Sequence, residues 1–261
     1  MFSTRRILRG LALCFPLTAL LLAQPPQAGA GAPPRRAGGG GPNIQKAAEA
    51  GFQSIFDGQS LKGWEGNLAY WRVENGAITG ETTAENPTKA NTFLVWRDGR
   101  TGDFELKLEY KIRNHNSGVQ YRSRLAPGGD GFAMSGYQSD IDWPNTHTGL
   151  LYEEKARGFL APRGQANVIA SAMTGQKAAP GNIGGLGTSD ELKALLKTDD
   201  WNEVHIIARG RTLVHIYNGR VFSLFIDDDA QGRAQEGLLG LQLHAGPPMK
   251  IEYRNIRIKQ Y

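Results

Sequence analysis

Three short stretches of this chain place polar side chains at every second position. In GVQYRSR (118–124), Gln120 and Arg122 alternate with Val119 and Tyr121. In YQSDIDW (137–143), Gln138, Asp140 and Asp142 alternate with Tyr137, Ser139 and Ile141. In LGLQLH (239–244), Gln242 and His244 alternate with Leu241 and Leu243. A period of two marks a strand with one apolar and one polar face. Three such strands lying side by side would pool two carboxylates, an imidazole, a guanidinium and three amides. Carboxylates exchange protons, a guanidinium or imidazole steadies developing negative charge, and amides offer paired donors and acceptors to vicinal hydroxyls. That set suits a saccharide or glycoside. Trp143, Tyr152 or Trp71 could stack on a sugar ring, and His147 in WPNTHTG lies close in sequence. Each residue also has a duller use: solvated aspartates, a surface ion pair for Arg122, or a bond from His244 to the backbone of the adjacent Gly-Pro-Pro turn.

Other chemistries find no motif. H-E-x-x-H, Cys/His zinc spacing and a G-x-S-x-G elbow are all missing, and the glycine run Gly38–Gly41 lies in a linker rather than a phosphate loop. A retaining glucanase would carry two glutamates bracketing an aspartate on one strand, whereas the comparable strand here reads SDIDWPN.

The elements needed to position these residues are short and numerous. About a dozen strand-like runs separated by turns, from Phe52 to Lys259, predict an all-β, two-sheet antiparallel sandwich of the jelly-roll kind. Asn75-Gly76 and Asn218-Gly219 predict type I′ hairpins, and the slip in phase at Arg254–Asn255 predicts a bulge. Thr188 and Glu191 form a capping box ahead of Leu192, Leu195 and Leu196, so a short helix is expected near 189–197. The Gly/Ala/Pro-rich stretch between Gly158 and Gly187 reads as a long site loop.

The N-terminus reads as processing and linker sequence. Arg5, Arg6 and Arg9 precede an apolar run from Leu11 to Ala23, and Ala28-Gly29-Ala30 offers small residues for cleavage, so residues 1–30 are expected to be a signal peptide. Residues 31–50 form a Pro/Gly-rich linker with a short helical stretch, and residues 51–261 the folded domain. Cleavage removes the sole cysteine, Cys14, which excludes disulfides. Loss of the three arginines takes the formal charge from +5 to +2, and no basic cluster marks a nucleic-acid surface. No membrane span is expected in the mature chain, which is predicted to be secreted or periplasmic. Composition leaves the oligomeric state open.

Nine pieces of the chain, in order, resemble the 3-keto-disaccharide hydrolase family: FDGQSLKGWEG, WRVENGAITG, GDFELKLEYKI, NSGVQYRSR, GYQSDID, TGLLYEE, RGFLAPRGQ, DWNEVHIIARG and GLQLHAGPPMKIEYRNIRIK. The resemblance implies a concanavalin A-like lectin/glucanase fold, export, and cleavage of glycosides oxidised to a ketone at C3. Such a ketone acidifies the C2 proton. A base can then remove it, the enolate expels the C1 substituent, and hydration completes a net hydrolysis. On that reading Asp140 or Asp142 is the base, Arg122 with His244 holds the enolate oxygen, and Tyr152 or Glu153 is the acid. Gln120, Gln138 and Gln242 orient hydroxyls. A divalent cation held by Asp140, Asp142 and His244 could take the place of Arg122; no other cofactor is implied. The alternative is a secreted lectin-like module that binds carbohydrate without turnover, and a weaker one is a structural envelope protein.

Overall fold

Alternation is the rule that builds the larger sheet. FELKLEYKIR (Phe104–Arg113) buries every second side chain from Phe104 to Ile112, and NEVHIIAR (Asn202–Arg209) repeats the pattern. These two strands pair antiparallel at the middle of a ten-stranded sheet. Along one direction it continues through Thr212–Tyr217, Arg220–Asp228, Gln165–Ala170 and Gly181–Gly185; along the other through Met249–Gln260, Ala77–Thr82 and Trp71–Glu74. Gln53–Ser54 also pairs with Met249–Gln260. The computed structural model describes residues 49–170 and 178–261. The expected leader, and nearly all of the expected linker, therefore lie outside the described residues.

The second sheet has seven strands in the order Gly158–Ala161, Leu151–Glu154, Met134–Asp142, Asn116–Leu125, Gly237–Leu243, Thr92–Thr101 and Trp64–Glu65. The three strands with alternating polar residues are thus immediate neighbours. Between the sheets lies the core: Leu106, Leu108, Val204, Ile206, Ile251 and Ile258 face Val119, Ile141, Leu151, Leu241 and Leu243, all fully or almost fully buried. Each such side chain contributes about 1.5–3 kcal/mol on burial.

Tyrosines on the ten-stranded sheet also reach across and hold the backbone of the seven-stranded one. The Tyr217 hydroxyl pairs with Ser139 Oγ at 2.7 Å and donates to the Asp140 carbonyl at 3.0 Å. Tyr253 Oη meets Ser117 Oγ at 2.7 Å. The floor strands are therefore pinned from below at the positions that carry the polar face.

Both Asn-Gly dipeptides adopt positive φ at both residues, as type I′ turns require. The register slips between Arg254 and Arg257, with Asn255 at φ 53°, where the bulge was expected. The helix is Ser189–Lys193, capped by Thr188 with the full capping box; it ends four residues short of Lys197. The described residues of the stretch 158–187 are largely strand rather than loop. They contribute Gly158–Ala161 to the smaller sheet and two strands to the edge of the larger one, Gln165–Ala170 lying parallel to Arg220–Asp228. An edge strand of sequence GNIGG, exposed along most of its length, has no alternation to read.

Candidate active site

The outer face of the seven-stranded sheet carries a cleft of about 770 Å³, bordered by Asn116, Gln138, Asp140, Tyr152, Gln242 and His244 on its floor. That volume is in the range of small-molecule sites. Register explains the grouping. Gly118 pairs with Asp140 and Gln120 with Gln138, while Tyr152 pairs with Gln138 from the other side. Gln242 and His244 arrive on the strand that pairs Leu241 with Val119. Gly118 is needed because a Cβ there would stand 2.6 Å from the Gln138 Cδ. The Gln138 side chain lies over that glycine and donates from Nε2 to Asp140 Oδ1 at 2.8 Å and to Gln242 Oε1 at 3.4 Å.

Asp140 is the chemically distinctive group. Burial pushes its carboxyl up to about 7, with Asp142 and Glu154 adding to the rise and the bonds from Gln138 and Asn116 opposing it. Asn116 Nδ2 donates to its second oxygen at 3.2 Å. A carboxyl poised near neutrality in a cleft is suited to taking a proton. Tyr152, on the adjacent strand, has its hydroxyl raised above the usual phenol value by burial and by the nearby carboxylates of Glu154 and Asp140. It stays protonated at neutral pH and can give a proton. Above the floor stand Trp143 (38% exposed), Phe159 (60% exposed), Pro144, His147 and Leu150. Trp143 is anchored by Nε1 donating to Asp199 Oδ1 at 2.9 Å, and Phe159 meets Tyr152 edge-on at 5.3 Å.

Residues 51–259 match the model of the 3-keto-alpha-glucoside-1,2-lyase-like domain. The chain belongs to that family. A search of curated protein sequences finds no match to this lyase-like chain. Two solved structures from Parabacteroides distasonis, both described as candidate glycosyl hydrolases, are similar in fold. One is 17% identical, covering 81% of this chain and 94% of its own with a TM-score of 0.50; the other is 16% identical, covering 80% and 99% with a TM-score of 0.50.

Several residues expected in the site of this lyase-like domain lie elsewhere or do another task. Arg122 is not in the cleft. The register slips between Tyr121 and Arg124, and Arg122 takes φ 46° there, so its side chain leaves the polar face. Its guanidinium donates to the Gly102 and Gly210 carbonyls at 2.9 and 2.8 Å and pairs with Asp103 at 2.9 Å. Arg122 is a clamp between turns, about 20 Å along the strand from Asn116. Glu153 points the other way from Tyr152, as alternation demands, and joins a buried ion network with Arg157 at 2.5 Å, which also holds Asp227. Glu154 takes the cleft position instead, and Asn91 Nδ2 donates to it at 3.3 Å.

Asp142 borders the cleft but is spent as a loop organiser. Its carboxylate accepts from the backbone N–H of Thr146, His147 and Thr148 and from Thr148 Oγ1, at 2.7–2.9 Å. Three of these bonds fall on Oδ1 and one on Oδ2, so the charge of this carboxylate is engaged mainly in holding the loop. His244 bonds the turn backbone, Nδ1 donating to the Ala245 carbonyl at 2.6 Å, with His115 Nε2 donating to the same oxygen at 2.9 Å. Burial lowers its proton affinity, so the ring is neutral near pH 7 with Nε2 as an acceptor. It therefore cannot donate to an enolate oxygen. Among the described residues no three His, Cys, Asp or Glu side chains form a group able to hold a metal ion, so Asp140, Asp142 and His244 do not make the ligand set considered above. Gln120 is fully buried beside Gln138 and does not border the cleft, donating to Gln138 Oε1 at 3.3 Å. No helix among the described residues is long and apolar enough to cross a membrane.

Glu154, Asn116, His115 and Phe159 line the cleft but did not stand out in the sequence. Glu154 carried a usable signal, since it lies two residues from Tyr152 and shares its face.

Proposed function

We propose that this domain cleaves 3-keto-glycosides by elimination across C1 and C2 and that the mature protein works outside the cytoplasm. The observation that carries the reading is Asp140, a carboxyl held near neutrality at the floor of a cleft of sugar size. Family membership supports it. Asp140 takes the C2 proton, and the C–H electron pair becomes the C2–C3 double bond of an enolate, leaving negative charge on the C3 oxygen. The charge then returns to re-form the ketone, C1–C2 becomes a double bond, and the C1–O bond breaks. Tyr152 gives the departing oxygen its proton. Water added to C1 of the enone completes a net hydrolysis. The aromatic rim of Trp143 and Phe159 supplies ring-face contacts for either partner of the cleaved bond.

The test is to incubate the purified domain with p-nitrophenyl 3-keto-α-glucoside and with its unoxidised parent. Release of p-nitrophenolate from the keto sugar alone is expected. Binding of the parent with release from neither would overturn the enzyme reading in favour of a carbohydrate-binding module.

A further inference from the structure

Arg122 and His244 leave one task in the proposed reaction without a residue. The enolate formed at C2–C3 puts negative charge on the C3 oxygen, and no Lys or Arg borders the cleft among the described residues. A neutral N–H donor in a water-poor pocket can do this work, because its dipole is fixed before the charge appears.

The amide network singles out one. Asp140 is an acceptor towards its neighbours, so the Gln138 NH2 must face Asp140 Oδ1. The same NH2 donates to Gln242 Oε1, and Gln138 Oε1 accepts from Gln120 Nε2. Each amide orientation is thereby dictated by the carboxylate at the start of the chain. The consequence falls on Gln242: its oxygen is committed to Gln138, and its Nε2 is buried with two N–H bonds and no partner. Gln242 is fully buried and borders the cleft. A buried donor without an acceptor is rare in folded proteins and costs stability until something accepts from it.

We propose that Gln242 is a catalytic residue whose Nε2 donates to the C3 oxygen of the bound keto sugar and holds it as the C3=O bond becomes C3–O⁻. Gln138 and Gln120 are positioning residues that keep the Gln242 amide from flipping. The inference rests on the elimination reading above. It also bears on specificity, since a C3 ketone brings only acceptor lone pairs to that donor.

The test uses p-nitrophenyl 3-keto-α-glucoside with the full-length mature domain, together with deuterium exchange at C2 of methyl 3-keto-α-glucoside in heavy water, which reads enolate formation without a good leaving group. Gln242→Met keeps the side-chain length and removes the donor. We expect kcat to fall about 10²–10³-fold, KM to move less than about threefold, and C2 exchange to fall in parallel with kcat. A general loss of packing would instead lower the folded fraction and leave kcat per folded molecule intact. Should Gln242→Met not fold, Gln242→Leu decides, because it is similar in size and carries no donor. An active wild type with either folded variant within about threefold in kcat overturns the role of Gln242 and leaves the elimination reading standing. A wild type that neither releases p-nitrophenolate nor exchanges C2 overturns both.

Discussion

Gln138 occupies the space that a side chain on Gly118 would need, and that overlap holds the site together. A methyl at Gly118 would meet the Gln138 Cδ, Cγ and Nε2 at 2.6–2.8 Å, inside any real contact distance. The Gln138 amide would have to swing away, losing its bonds to Asp140 and Gln242. Gly118→Ala should therefore cost about 1–3 kcal/mol in a urea melt. It should also lower kcat by much more than the loss of folded protein explains. Wild-type kcat in a destabilised but folded variant would show that the amide network does not matter for the chemistry.

The two aspartates of SDID differ in what they hold, and a matched pair of substitutions separates them. Asp142 accepts four hydrogen bonds from residues 146–148, and Arg163 ties the same loop by donating to the Asn145 and Thr148 carbonyls at 2.9 and 3.0 Å. Asp142→Ala strips the partner from three backbone N–H groups and should cost at least about 3 kcal/mol of stability. It should also expose the 143–148 segment to proteolysis. Limited digestion and denaturant unfolding read both effects. A stable, protease-resistant Asp142→Ala variant would refute the loop role.

Adjacent glutamates should likewise part company. Glu153 lies in the ion network with Arg157 and Asp227, so Glu153→Ala removes one of the carboxylates that hold the Arg157 guanidinium and should cost about 1.5–3 kcal/mol. Arg122→Met, which removes the clamp on Gly102 and Gly210, should also destabilise the fold while leaving kcat per folded molecule unchanged. Glu154 faces the cleft and its negative charge helps to raise Asp140. Glu154→Gln should spare stability and move the acid limb of the kcat/KM profile to lower pH, since Asp140 then ionises more readily. A shift to higher pH would contradict the assigned placement of Glu154.

Much of this arrangement could be read from local pattern, and its failures have local causes. Alternation put Gln138 and Asp140 on one face, because a pleated strand leaves no other choice; that the strand of Gln242 lies in the same sheet comes from the pairing of separate strands, which no local pattern encodes. It failed at Arg122, where a non-glycine residue in the left-handed region breaks the phase with no glycine or asparagine to announce it. It left Tyr152 and Glu153 undecided because YEE offers no apolar partner to set the phase; pairing of Leu151 with Ser139, a contact between separate strands, decides it. The carboxylate of Asp142 is engaged by a loop whose Asn145 takes positive φ, a turn invisible to periodicity. Gly181–Gly185 has no apolar repeat to read, and Gln165–Ala170 pairs with Arg220–Asp228, more than fifty residues away in sequence, which local pattern cannot show.

The strongest remaining test uses the sign of the Asp140 titration. In the fold this carboxyl binds its proton up to about pH 7, whereas the unfolded chain releases it near the ordinary carboxylate value of 3.8. Between those two values the native state holds more protons than the unfolded one, so stability falls as pH rises through the window and stays lower above it. Asp140→Asn removes that dependence. The variant should melt at a temperature close to wild type at about pH 4, and above wild type at about pH 8, with the difference growing between about pH 4 and 7 and level above that. Its activity should move in the opposite sense: wild-type kcat/KM should climb with pH to a plateau through a midpoint near 7, and Asp140→Asn should fall at least about 10²-fold below that plateau. Thermal unfolding and rate profiles over the same pH series measure both. A variant that is less stable than wild type at high pH, or that keeps the wild-type rate profile, would mean that Asp140 is neither poised near neutrality nor the base.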